Sequence, residues 1–147
     1  MTINSIYNKV LGKVVAIEKL VYGNKAWTIS KFKSYLSAQH ILCNYLEAKS
    51  KEVMGYVIAE DTVDNITILN MTCNPDYEEE IVIGELIAFL QKKLKNSDRC
   101  IRITVRDTSL ELQKFLKGLG FKGKLLPNFF NDGQDGITFV YRREEGV

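Results

Sequence analysis

Residues 66–74, Ile-Thr-Ile-Leu-Asn-Met-Thr-Cys-Asn, run through Pro75-Asp76-Tyr77 into Glu78-Glu79-Glu80-Ile81-Val82-Ile83-Gly84-Glu85-Leu86. This passage decides the fold. Its first nine residues are rich in β-branched and apolar side chains and read as a strand. Pro75 has no backbone N–H and stops that strand. From about Glu78 to Lys95 the chain reads as a helix. Its acidic first turn suits the positive end of the helix dipole, and Lys92, Lys93 and Lys95 suit the negative end.

Upstream, residues 53–60 and 40–48 read as two more strands, joined by the polar turns 49–52 and 61–65. Three strands with short turns form an antiparallel meander. Before them, Val10, Leu11, Val14, Ile17, Leu20 and Val21 recur at helical spacing, so 8–22 is expected to be an amphipathic helix ended by Gly23-Asn24. Thr28 is placed to cap a short helix with Ile29, Phe32 and Leu36 on one face. Residues 2–7 read as a short first strand. Downstream come a strand at 100–106, a helix capped by Ser109 and closed by Gly118-Leu119-Gly120-Phe121, and strands at 121–126 and 137–143. The order β-α-α-β-β-β-α-β-α-β-β is mixed α/β.

A chain of 147 residues without a linker, repeat or low-complexity tract reads as one domain, 1–147. The net charge of +2 argues against a nucleic-acid partner. No apolar run approaches the roughly 20 residues that cross a bilayer, and the N-terminus lacks a signal peptide pattern, so a cytoplasmic location is expected. Cys43, Cys73 and Cys100 lie in strand-like runs without a CxxC pair and read as buried, reduced thiols. With one histidine, His40, no metal site is expected.

Several motifs together resemble the GNAT N-acetyltransferases, most of all the branch that acetylates ribosomal-protein N-termini. They are Trp27-Thr28-Ile29-Ser30-Lys31-Phe32, then Asn70-Met71-Thr72-Cys73-Asn74-Pro75 continued by Asp76-Tyr77, then Val105-Arg106, then Leu119-Gly120-Phe121. The resemblance implies one GNAT-like domain: a mostly antiparallel sheet with one splayed parallel strand pair, and helices on both faces. It also implies acetyl-CoA in the opening between those strands. There, strand backbone at Met71 and Cys73 would meet the pantetheine arm, and backbone of Ile81, Val82 and Ile83 would meet the diphosphate.

At four places the residues depart from the family pattern. The R/Q-x-x-G-x-G/A diphosphate motif reads Glu78-Glu79-Glu80-Ile81-Val82-Ile83. A helix N-terminus binds anions through unpaired N–H groups. Two unit charges about 4 Å apart interact by about 4 kcal/mol at an effective dielectric of 20, so carboxylates there oppose a diphosphate. The family's catalytic glutamate is Thr104, whose hydroxyl is no base near neutral pH. The family's catalytic tyrosine is Leu116, and a later N-Y-Y element is Asn128-Phe129-Phe130. Tyr45, Tyr56, Tyr77 and Glu60 are candidates to face the cleft, where a phenol beside a carboxylate does acid–base work.

Two functions follow. In the first, the chain is a non-catalytic binding module whose cleft holds a protein partner or another small ligand, with no resident cofactor and no assigned catalytic residue. In the second, it moves an acetyl group from acetyl-CoA to a protein or small-molecule amine. Oligomeric state is not encoded in any motif.

Overall fold

The computed structural model describes residues 1–95 and 97–143. In chain order the elements are β1 (Thr2–Ser5), α1 (Asn8–Tyr22), α2 (Ile29–Leu36), β2 (Ile41–Glu47), β3 (Val53–Asp61), β4 (Asn65–Cys73), α3 (Glu79–Lys93), β5 (Cys100–Arg106), α4 (Leu110–Gly118), β6 (Lys122–Leu126) and β7 (Gly136–Arg142). The strands form one sheet in the order β1-β2-β3-β4-β5-β7-β6. Only β4 and β5 run parallel; the other neighbouring pairs are antiparallel. The mixed α/β architecture expected from the periodicities is the one that forms.

Strand alternation sends successive side chains to opposite faces. Val57 and Ala59 of β3 join a core with Val82, Ile83, Leu86, Ile87 and Leu90 of α3 and Leu116 of α4. Tyr56 and Ile58 of the same strand join a second core with Val10, Leu11, Val14, Val15 and Ile17 of α1 and Phe32 of α2. Helices therefore cover both faces. Full burial of side chains of this size contributes roughly 1.5–3 kcal/mol each. The α1 stripe is shorter than its period suggested. Leu20 is 69% exposed and Val21 40%, and Ile29 of α2 is 46% exposed. Periodicity marks the face of a helix but not where its packing partner ends.

Local chemistry sets the helix ends. Thr28 caps α2, its hydroxyl accepting from the Lys31 N–H at 3.2 Å. Gly23 ends α1 at φ +58°, in the left-handed region that favours glycine. Gly120, at φ +95°, ends α4, with the Phe121 N–H donating to the Leu116 carbonyl at 3.0 Å. Leu119-Gly120-Phe121 is thus a helix stop whose last residue is a core anchor. Ser109 does not cap α4 through its side chain. The turn is held by Gln113, whose amide donates to the carbonyls of Arg106 and Asp107 at 3.0 Å each.

Among the described residues, no helix is long and apolar enough to cross a membrane. All three cysteines are free, but only Cys100 is buried; Cys43 and Cys73 are partly exposed. Burial still pushes the Cys43 thiol up to about 11.

Gly55 of β3 sits under the first turn of α3. A Cβ there would lie 2.5 Å from Val82 Cγ1 and 2.7 Å from the Thr72 carbonyl oxygen. Gly12, within α1, has nothing within 4 Å of the same position. Gly55→Ala should therefore cost about 1–3 kcal/mol by overpacking against backbone. Gly12→Ala should stabilise by about 0.5–1 kcal/mol through helix propensity. Urea unfolding of the two variants checks both signs.

Candidate functional site

The site is made by one extra residue in β4. Cross-strand pairing runs Ala59 with Ile68 and then Ile58 with Asn70, leaving Leu69 without a partner on β3. This is a β-bulge, which bends the strand and breaks its alternation. Ile66 and Ile68 face the α3 core. Past the bulge, Asn70 pairs with Ile58 and Thr72 with Tyr56, so these two now face α1. Met71 and Cys73 take the α3 side.

The same point is where the sheet opens. β4 and β5 pair from Asn65 with Cys100 to Ile68 with Ile103, and no further. β5 continues along β7 as far as Arg106. The β4 edge over residues 69–73 therefore has no strand beside it. A cleft of about 350 Å³ fills the gap, lined by Glu18, Tyr22, Asn70, Met71, Thr104 and Arg106, with Leu69, Trp27, Ser109 and Phe130 also on its wall.

A buried polar cluster forms its α1 side. Glu18, 1% exposed, accepts from the Tyr56 hydroxyl at 2.6 Å and the Asn70 side-chain amide at 2.9 Å. Its other oxygen accepts from the Trp27 backbone N–H at 2.9 Å. Thr72 donates to the Asn70 side-chain carbonyl at 2.7 Å, and Tyr22 meets the Thr72 hydroxyl at 3.0 Å. Burial raises the Tyr56 phenol far above its ordinary value, and the Glu18 hydrogen bond adds to this. Burial also raises Tyr22, with the Glu18 and Glu79 charges adding to the effect. Sequence reading missed Glu18. The signal was available: Leu11, Val14, Val15 and Glu18 stand at i, i+3, i+4 and i+7, so an acid occupies the apolar stripe.

The other candidates scatter. Tyr45 is buried on the α1 side with its hydroxyl on Glu47 at 3.2 Å, and burial pushes it up to about 12. Tyr77 bonds Glu52 at 3.0 Å, and Glu60 is exposed on β3 near its end. None of these three lines the cleft, and Tyr56 reaches it only through Glu18. The Cys73 thiol donates to the Asn74 carbonyl at 3.2 Å, and burial pushes it up to about 11, which is no setting for a nucleophile. Thr104 meets the Thr138 hydroxyl at 2.9 Å, and Leu116 is fully buried in the core. Phe130 carries the Arg106 guanidinium 4.2 Å over its ring, while Phe129 is half exposed. Asp132 ties this last loop across the mouth, to Arg106 at 2.9 Å and to Lys25 at 3.7 Å.

At the other end, Asn74 shapes the junction into α3. Its amide donates to the Val53 carbonyl at 2.9 Å and its oxygen accepts from the Asp76 N–H at 3.1 Å. Glu78 then opens the helix without a side-chain cap. The Val82 N–H is spent on the Glu78 carbonyl at 3.1 Å, so the end donors are those of Glu79, Glu80 and Ile81. Val82 and Ile83 are core residues, whereas Ile81 is 47% exposed and lines neither cavity described here. The three glutamates, with Glu111, Leu112 and Phe115, surround a groove of about 410 Å³. The junction is thus open and strongly acidic.

No family model matches the sequence, and no curated protein matches it. Solved structures do. The ribosomal-protein-S18-alanine N-acetyltransferase from Escherichia coli superposes with a TM-score of 0.77 at 22% identity, covering 99% of this chain and 97% of that one. A probable acetyltransferase from Staphylococcus epidermidis gives 0.82 at 16% identity, covering 97% and 99%. An aminoglycoside 6'-N-acetyltransferase complexed with coenzyme A gives 0.80 at 12% identity, covering 99% and 100%. Identities this low speak for architecture alone. Over nearly its whole length, the chain has the GNAT acetyltransferase fold.

Proposed function

We propose that the chain transfers an acetyl group from acetyl-CoA to an amine held in the cleft between β4 and β5. The observation that carries this reading is the opening of the sheet at the Leu69 bulge, which leaves the β4 edge free over residues 69–73. An extended pantetheine arm matches such an edge by adding to it as a strand would, through backbone groups of Met71 and Cys73. The end donors of α3, at Glu79, Glu80 and Ile81, are the groups left for the diphosphate. Acetyl-CoA supplies an activated acetyl thioester. A related architecture that was solved with coenzyme A supports the assignment.

The chain's own residues bind and orient more than they move protons. Thr104 and Leu116 offer neither a base nor an acid at the positions where the family resemblance puts them. The acceptor proton therefore leaves to water before attack.

The acidic groove favours a second reading, a non-catalytic module that binds another ligand or a protein in the same cleft. Glu78, Glu79 and Glu80 are exposed, so solvent and salt weaken their opposition to a diphosphate without abolishing it. Calorimetric titration with acetyl-CoA and with CoA separates the two. Micromolar binding supports transfer. No binding at millimolar ligand, by the natural chain or by the triple variant E78Q/E79Q/E80Q, rejects it in favour of the module.

Two further outcomes follow. The triple variant should bind acetyl-CoA at least tenfold more tightly, and the natural chain should bind it better at 300 mM salt than at 50 mM, because screening relieves repulsion. The rate of transfer should rise tenfold per pH unit until the acceptor's own pKa, about 8 for an α-amine. A plateau well below that pH would show a base within the site.

A further inference from the structure

Glu18 is the one group in the cleft whose environment the transfer reading leaves unexplained. It is a buried carboxylate with no Lys, Arg or His within ion-pair distance among the described residues. Burying an uncompensated charge is costly. Three neutral donors reduce that cost: Tyr56 and Asn70 on one oxygen, Trp27 on the other. A carboxylate offers about four lone-pair sites, so one site remains on the Trp27-bonded oxygen. Among the described residues that line the cleft, Glu18 is the only acid.

The cations of the lining are engaged away from Glu18, although one acid serves both. Lys25 and Arg106, which also line the cleft, share Asp132 at its mouth. The aromatic walls differ in the same way. Trp27 has the Lys31 ammonium 4.4 Å over its ring, and Phe130 has Arg106. Tyr22 has no cation over its ring among the described residues, is 41% exposed, and stands beside Glu18 and Asn70 in the lining. A carboxylate with one open site, an aromatic ring free of a cation and apolar walls at Leu69 and Met71 suit an alkylammonium.

We infer that Glu18 is the specificity-determining residue of the cleft: it selects an acceptor that arrives as a cationic primary alkylammonium, with the Tyr22 ring as the second contact. This rests on the transfer reading for the word acceptor, but the binding site itself does not. Selection occurs on the charged form, and the neutral amine that attacks is formed after binding by loss of the proton to water. A residue that merely staples α1 to β3 and β4 would impose no charge preference.

The test is binding without donor. Trialanine amide, a cation near neutral pH, and its N-acetylated form, a neutral near-isostere, are titrated into the full chain and followed by NMR shifts of the Trp27 and Asn70 amides. At pH 6.5 the cation should bind at least tenfold more tightly than the acetylated control. Its affinity should fall as pH passes the α-amine value of about 8. Glu18→Gln keeps the shape and should erase that preference with the fold intact by circular dichroism. If this variant fails to fold, the pH series on the natural chain decides alone. Equal binding of the two probes, a pH-independent affinity, or no binding of either at millimolar concentration overturns the inference. Cation binding without acetyl-CoA binding would overturn the transfer reading and leave this one standing.

Discussion

One unpaired residue, Leu69, sets the site. A strand has a period of two, and a bulge, which sets two residues against one, breaks that alternation for the residues after it. Without the bulge, strict alternation of the same sequence would turn Asn70 and Thr72 toward α3 with Ile66 and Ile68. With it, they turn toward α1, where Asn70 meets Glu18 and Thr72 meets Tyr22. The same insertion stands where β4 leaves β5. Polar floor and open strand edge thus begin at the same residue.

The two ends of the cleft carry opposite electrostatic problems. At the floor, a buried carboxylate is held by neutral donors and lacks a cation. At the α3 junction, free N–H groups suited to an anion are ringed by exposed acids. The first arrangement sits in low dielectric and acts strongly over a short range; the second sits in solvent, where salt sets its strength.

The element order was legible because its signals are local. The helical period over 8–22, Thr28 as a cap, Pro75 as a stop and Gly120 as a helix end each act within a few residues. The site was less legible because its contacts are distant in sequence. Glu18 finds Tyr56 and Asn70, 38 and 52 residues away. The bulge left no mark either: Ile66, Ile68, Asn70 and Thr72 keep an even spacing that hides the change of face. Tyr45, Tyr56 and Tyr77 looked equivalent in sequence, since no local rule says which side of a strand or turn meets the gap. The residue types at Thr104 and Leu116 were readable directly, but the openness of the junction required the path of Ile81 and Ile83.

The parallel pairing of β4 with β5 spans only four residue pairs, ending at Ile68 and Ile103. Mechanically the sheet is two antiparallel plates, β1 to β4 and β5-β7-β6, joined at the apex of a wedge. From that apex to Cys73 is five residues, or about 17 Å at 3.3 Å per residue. A rotation of about 5° between the plates moves the mouth by about 1.5 Å over that lever. Width at the mouth therefore rests on the core under α3 that both plates share and on the Lys25–Asp132 tie, while depth is set by the bulge and the buried floor.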